Sequence, residues 1–302
     1  MSTMIPTSQR VVSIATLDDK QIVDSRDMRK LVTSLTPILA KSLPVALKGA
    51  VDRYGGSLIQ EMNRNPYLAN STAMSLLGLL MQTAQLGLEL GGVLGQSYGV
   101  PYWNNKIKAQ EAQFQIGYKG LIALAHRADP TKVFDAHPVF EGDEFDIQLG
   151  GAPKVHHKPL IKGDRGELVG VYATFGEPGL VYKAEWMTAT EIEKHKEKYS
   201  KKDKQGQFSA AWTGGHEMHR KTVLRRLGKR VPMSVEIMRA SSLDECADDD
   251  VAQNLGALVK AAVDMEVEPP SPKAQDVLNA LGSKDAGREP GDEDIDSSGV
   301  PR

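Results

Sequence analysis

The chain has 302 residues, 40% hydrophobic and 25% charged, with 28 Gly, 16 Pro, one cysteine and a formal net charge of -2. That length holds one or two domains with a buried core, and the composition excludes a collagen, a coiled-coil rod and a wholly disordered chain. Cys246 has no second cysteine to pair with, no apolar run reaches the roughly 18–20 residues of a membrane span, and the start MSTMIPTSQR lacks a leader pattern, so the expected setting is the cytoplasm.

Residues 1–23 mix Ser, Thr, Gln and charges without periodicity and are expected to be a flexible N-terminus. From Asp24 to about Val51, Met28, Leu31, Val32, Leu35, Ile38, Leu39 and Leu43 recur at helical steps. Pro37 and Pro44 should divide this stretch into two short helices. After Asn65-Pro66, Ser71 or Thr72 can cap a helix whose face is Met74, Leu77, Met81, Gln85 and Leu88, ending at Gly91-Gly92. The period then changes to two. Ser97–Trp103 and Gln110–Ile116 predict a hairpin with Lys106 and Lys108 at its tip.

Gly117-Tyr118-Lys119-Gly120 leads into a short apolar helix, Leu121–Arg127, stopped by Asp129-Pro130. Strand patterns follow at Val133–Phe140 and Phe145–Leu149, then at Glu167–Phe175 and Leu180–Trp186, and they read as consecutive hairpins. Thr188 or Thr190 can cap a charged helix running to about Lys201, and a last helix spans Ala210 to Lys229. The expected fold is α+β, antiparallel hairpins packed with helices, with a core over 24–246. Residues 247–302 turn to Asp, Gly, Pro and Ser and predict an acidic, largely disordered tail, whose apolar islands at Leu255–Val263 and Val277–Leu281 could dock a partner. Charge divides along the same line. Asp244–Arg302 holds 15 acidic and 5 basic residues, a net of -10, so positions 1–243 carry +8. A basic body with an acidic tail fits a nucleic-acid protein and equally fits solubility tuning.

Between Val181 and Val231, 13 Lys and Arg face 6 Asp and Glu. On the last helix Trp212, Val223, Leu224, Leu227 and Val231 form one stripe, while Lys221, Arg225 and Lys229 follow at i, i+4 and i+8 on the other side. Like charges at that spacing repel, and a polyphosphate lying along the ridge would relieve the repulsion. A plain solvated face is the competing reading. Enzymatic alternatives are thinner. His216-Glu217-Met218-His219 lacks the H-E-x-x-H spacing of a zinc helix, because position 220 is Arg, and His156-His157 would point to opposite faces of a strand. Gly228-Lys229-Arg230 is not a phosphate-binding P-loop, and Gly91-Gly92-Val93-Leu94-Gly95 is not a dinucleotide fingerprint. Glu141, Asp143, Glu144 and Asp146 could hold Mg²⁺ for a nuclease, although acidic residues are common at turns. A non-enzymatic scaffold whose tail competes for the basic body is the third option.

A family resemblance covers about residues 60–245. It is carried by Gln85-Leu86-Gly87-Leu88-Glu89, Leu94-Gly95-Gln96-Ser97-Tyr98 with Pro101-Tyr102, Gln115 through Ile122, Glu141 through Phe145, Lys221 through Leu227, and Pro232 through Ile237. These motifs, in this order, resemble the RecT family of phage-type single-strand annealing proteins, similar in role to lambda Redβ. Leu90 departs from the family, where a proline usually follows that glutamate, and a looser turn is expected there. The resemblance implies ATP-independent, non-enzymatic binding of single-stranded DNA, pairing with a complementary strand into a duplex intermediate, and assembly with itself into a ring or filament. No cofactor or metal is implied. A 5′-to-3′ exonuclease is the implied partner, with a single-strand-binding protein as a second through the C-terminal region.

On these positions Lys119, Lys221, Arg225 and Arg226 are first choices for phosphate contacts. Tyr98, Tyr102 and Tyr118 would either stack on bases or pack in the sheet. Lys106, Lys108, Lys183 and Arg220 are weaker candidates, since cations at hairpin tips are often only solvated.

Overall fold

The computed structural model describes residues 17, 18, 20–42, 51–200, 202, 206–249 and 251–267. The expectations for residues 1–16, for Pro44 and for the island at Val277–Leu281 lie outside them. The elements up to Ala262 form one compact unit, and of the second, from Val263, the described residues are the last turn of a helix.

Helix α1 (Ser25–Ser42) starts where the Asp24 carboxylate accepts from the backbone N–H groups of Arg26 and Asp27. Met28, Leu31, Val32 and Leu35 are its buried stripe, and the helix runs unbroken through Pro37, where one helix stands in place of the expected break. The body also reaches further back than position 24: the Gln21 carbonyl accepts from Ala73 N–H at 2.7 Å, and Val23 is buried. Helix α2 (Val51–Arg64), an element beyond those expected from the sequence, buries Tyr54, Leu58, Ile59 and Met62. After a short turn of helix α3 (Pro66–Ala69), Thr72 caps α4 (Ala73–Leu86), and Gly87, in the left-handed region at φ +60°, ends it. Helix α4 is buried on nearly every side, and no single face stands out. It is the central rod of the helical half.

Strands β1 (Ser97–Asn104) and β2 (Ala109–Ile116) form the expected hairpin in the register Ser97 opposite Ile116 through Asn104 opposite Ala109. Ala112, Phe114 and Ile116 of β2 are buried. Helix α5 (Tyr118–Ala128) follows at once and stops at Asp129.

The second sheet differs from a row of hairpins. Strand β3 (Val133–Phe140) pairs with β6 (Leu168–Glu177), which pairs with β7 (Leu180–Thr188), whereas β4 (Glu144–Gln148) pairs with β5 (Lys154–Lys158) in a separate ribbon. Period-two patterning marks a strand but not its partner, so adjacency in sequence misled here. The ribbon is fastened to the sheet through Phe145, whose ring stacks on Tyr172 and Trp186 at 5.5 and 4.9 Å.

Thr188 and Glu191 close a reciprocal capping box at the start of α6 (Ala189–Tyr199). The single helix expected over 210–229 is divided into α7 (Ala210–Thr213) and α8 (Glu217–Gly228), because Gly215 at φ +80° and His216 at φ +59° turn the chain between them. Helix α8 lays Val223, Leu224 and Leu227 toward the three-stranded sheet. Ser234 then caps α9 (Val235–Asp248), and α10 (Leu255–Val267) follows.

The body runs past position 246 as well. Gln253 donates to Phe114 O and Leu243 O and accepts from Phe114 N–H, while Leu255 and Val259 are buried and the Leu255 backbone lies against Gly78 of α4. The first part of that island, Leu255 to Val259, is therefore partnered by its own chain. Among the described residues no helix is long and apolar enough to cross a membrane.

Candidate nucleic-acid interface

A glycine-built loop joins the two halves of the site. Gly91, Gly92 and Gly95 take φ of +63°, +67° and +59°, a region open to glycine at little cost. The turn at Leu90 is pinned where a looser one was expected. Leu90 is buried, Gly91 N–H donates to Ser97 O at 2.7 Å, the Ser97 hydroxyl donates to Glu89 O at 2.7 Å, and Glu89 N–H donates to Gln96 Oε1 at 3.0 Å. A Cβ on Gly95 would stand 2.8 Å from the Tyr98 hydroxyl and 3.8 Å from Lys119 Cδ, and one on Gly117 would stand 2.3 Å from Gly95 O. Loop, first strand and α5 N-terminus thus close on one another. They bring Tyr98, Tyr118 and Lys119 together.

Helix α8 adds Arg220. Its guanidinium lies 5.5 Å from the centroid of the Tyr118 ring, held by a 2.7 Å bond from Nη1 to Gly215 O, and Lys119 Nζ lies 6.0 Å from the same ring. Lys119 and Tyr98 are exposed, and Tyr118 and Arg220 are half-buried. No carboxylate oxygen of the described residues lies within 4.0 Å of either cation. Burial, and after it the charge of Glu217 and the neighbouring Tyr118, pushes the Tyr98 phenol upward, so it stays a neutral hydroxyl. Two cations and two aromatic rings on one surface suit a chain of phosphates and bases. The sequence placed Lys119 and Arg220 in different classes of candidate, and the fold sets them on the same ring.

The ridge of α8 is different from the exposed cationic row read from its spacing. Lys221 is buried, with Nζ 2.8 Å from Asp244 Oδ1, and Arg225 Nη1 lies 2.8 Å from Asp244 Oδ2. Lys229 Nζ reaches Glu245 at 2.5 Å. Helix α9 supplies both acids, and it covers the row. By composition alone Asp244 and Glu245 merge with the acidic C-terminal stretch, which hides this helix in the sequence. Ser234 as a cap, followed by Ile237, Ala240 and Asp244 on one face, was the available signal.

Other candidates are scattered. Arg226 Nε bonds the buried Glu185 carboxylate at 2.6 Å, and Arg230 bonds its other oxygen. Lys183 is exposed on β7. Tyr102 stands further along β1, roughly 13 Å from Tyr98 by the rise of a strand, and Lys106 and Lys108 lie in the hairpin tip past Asn104, roughly 20 Å from Tyr98.

The four carboxylates of the nuclease reading do not converge. Asp143 has no exposed side-chain surface: it accepts from Arg165 Nε, Leu160 N–H and Phe140 N–H, each at 2.9 Å, and sits 3.2 Å from His157 Nε2. Arg165 foremost, then these N–H groups, holds its carboxyl well below the usual aspartate range. Glu144 is spent on His156 and Lys158, at 3.4 and 3.5 Å. Among the described residues no three His, Cys, Asp or Glu are placed to hold a metal ion. His156 and His157 do point to opposite faces, the first exposed and the second buried against Tyr172.

The family model described as RecT family matches residues 52–255. The chain is 37% identical over 187 residues to Protein RecT of Escherichia coli strain K12, covering 61% of this chain and 68% of the relative. It is 29% identical over 224 residues to an uncharacterized Bacillus subtilis protein, YqaK, covering 70% of each. The matched span holds the glycine loop, the Tyr98–Tyr118–Lys119–Arg220 group and the α8–α9 ion pairs, and the chain belongs to the RecT family, whose members bind single-stranded DNA, anneal it in recombination and self-associate.

Proposed function

We propose that this protein anneals complementary DNA strands without ATP and without bond-breaking chemistry, and that Lys119 and Arg220 hold phosphates beside the Tyr118 ring. The single observation that carries this reading is the pair of cations flanking one aromatic face, both without an ion-pair partner among the described residues. Contacts limited to phosphate and ring faces leave base edges free to test a second strand. Stacking then supplies about 1.4 kcal/mol per correct step, so hydrolysis is not needed. Exposed Lys183 and the hairpin-tip Lys106 and Lys108 extend the positive field and steer the strand. Assembly as a ring or filament, action beside a 5′-to-3′ exonuclease, contact with a single-strand-binding protein through the C-terminal region, and residence in the cytoplasm complete the proposal.

Mixing two complementary oligonucleotides, one carrying a quencher and one a dye, with protein and no nucleotide tests it. Fast quenching is expected, with log affinity for one strand falling against log salt by about 0.7 per phosphate contact. Quenching no faster than without protein, or only with ATP, would overturn it. Cleaved strands on addition of Mg²⁺ would restore the nuclease reading, which Asp143's bonding to Arg165 disfavours.

A further inference from the structure

The loop between α4 and β1 carries an exposed apolar tip. Val93 is 97% and Leu94 47% exposed, while both ends of the loop are fixed by the Gly91–Ser97, Glu89–Gln96 and Ser97–Glu89 hydrogen bonds. Two residues from Val93, Gly95 packs so closely on Tyr98 and Lys119 that a Cβ would collide there. The tip therefore stands within about 7 Å of chain from the cation and aromatic group. A β-branched side chain held almost wholly in water by a rigid loop contributes nothing to the core. Beside cations that attract a phosphate chain, it is placed to meet bases.

We infer that the Val93-Leu94 tip is a wedge that enters between two neighbouring bases of bound single-stranded DNA and unstacks them. The inference rests on the DNA-binding reading above. Lys119 and Arg220, 6.0 and 5.5 Å from the Tyr118 ring, hold the backbone beside it, so a base leaving the stack meets the Val93 side chain or the exposed Tyr98 ring. Valine and leucine side chains have no hydrogen-bonding atoms, so the wedge reads no base identity. This suits a protein that must accept any sequence. Apolar side chains inserted at base steps act in this way on duplexes, where they partly unstack the step. Here the strand is already single, and opening one step presents the flanking bases to an incoming complement.

The test uses the full-length protein and oligonucleotides with 2-aminopurine at each position in turn, because stacking quenches that base. At saturating wild-type protein, emission is expected to rise about threefold at one or more positions as the step opens. The double variant Val93→Ser, Leu94→Ser should still bind the strand, shown by anisotropy of an end label, but lose most of that rise. Val93→Ile should keep it. A rise undiminished in the double variant would overturn the wedge. So would a changed sedimentation coefficient of the DNA-free double variant together with normal emission on DNA, since the tip would then join copies of the chain. Failure of the wild type to bind any oligonucleotide would overturn the wedge and the annealing proposal together, whereas binding with flat emission at every position would overturn the wedge alone.

Discussion

Arg220, Lys221 and Arg225 sit within five residues of one another on helix α8, and they have opposite fates. Lys221 and Arg225 face α9 and are neutralised by Asp244, one of them fully buried. Arg220, one position earlier, projects elsewhere, to the Tyr118 ring that Lys119 also approaches. A one-residue step turns a helix by about 100°, enough to exchange a protein partner for solvent. Periodicity identified a cationic row correctly, but what a row does depends on the element packed against it. The buried row works as a clasp between helices, and the half-exposed arginine is the one we propose for DNA.

The largest effect that would break this contrast is on stability. Asp244→Ala leaves buried Lys221 uncompensated and should lower the unfolding free energy by about 3–5 kcal/mol in urea titrations. Lys221→Glu sets two carboxylates together in the same place and should cost the far-ultraviolet circular dichroism of the folded chain. The pair Lys221→Met with Asp244→Leu should recover most of the stability and leave DNA affinity unchanged. If that pair folds and loses DNA binding, the clasp is part of the interface.

Next in size is the seam between α4 and α10. Gly78→Ala drives a methyl to 2.2 Å from Leu255 O and should destabilise by about 1–3 kcal/mol in the same titrations. Removing the tail after position 247 should weaken the fold too, because Gln253, Leu255 and Val259 leave with it. Lys119→Ala should weaken single-strand binding about tenfold at low salt, make the salt slope shallower by about 0.7, and leave stability within about 0.5 kcal/mol.

Acid provides a further probe. Burial, with smaller contributions from nearby His216 and Lys196, pushes His219 down from the ordinary 6.5 to about 4. The unfolded chain then binds a proton that the folded chain refuses between those values, so stability is full above about pH 6.5 and falls as the pH drops toward 4. A melting curve at each pH should show this decline, and His219→Gln should flatten it. The smallest effect belongs to the hairpin tip. Lys106→Ala should change affinity by less than about twofold, as expected of a solvated cation.

Local elements were legible where a short-range physical rule decides them. Thr72, Thr188 and Asp129 marked helix ends because side-chain caps and extended backbone act within four residues. The β1–β2 and β6–β7 hairpins were readable because alternation and a tight turn lie next to each other. The partnership of β3 with β6 was not, since pairing between residues as far apart as Val133 and Gly176 leaves no local trace, nor was Pro37 inside α1. The site divided in the same way. Its aromatic and basic residues could be named one by one, yet the grouping of Tyr98, Tyr118, Lys119 and Arg220, and the hiding of Lys221, arose only in three dimensions.

By itself the sequence determined the α+β class, the family and the positive body, because composition, period and motif order are properties of the chain alone. Tertiary structure decided which cations meet solvent and which meet Asp244. Exposure belongs to pairs of surfaces, and the second surface, α9, lies 10 to 27 residues further along the chain from Arg225 and Lys221 in the span Val235–Asp248.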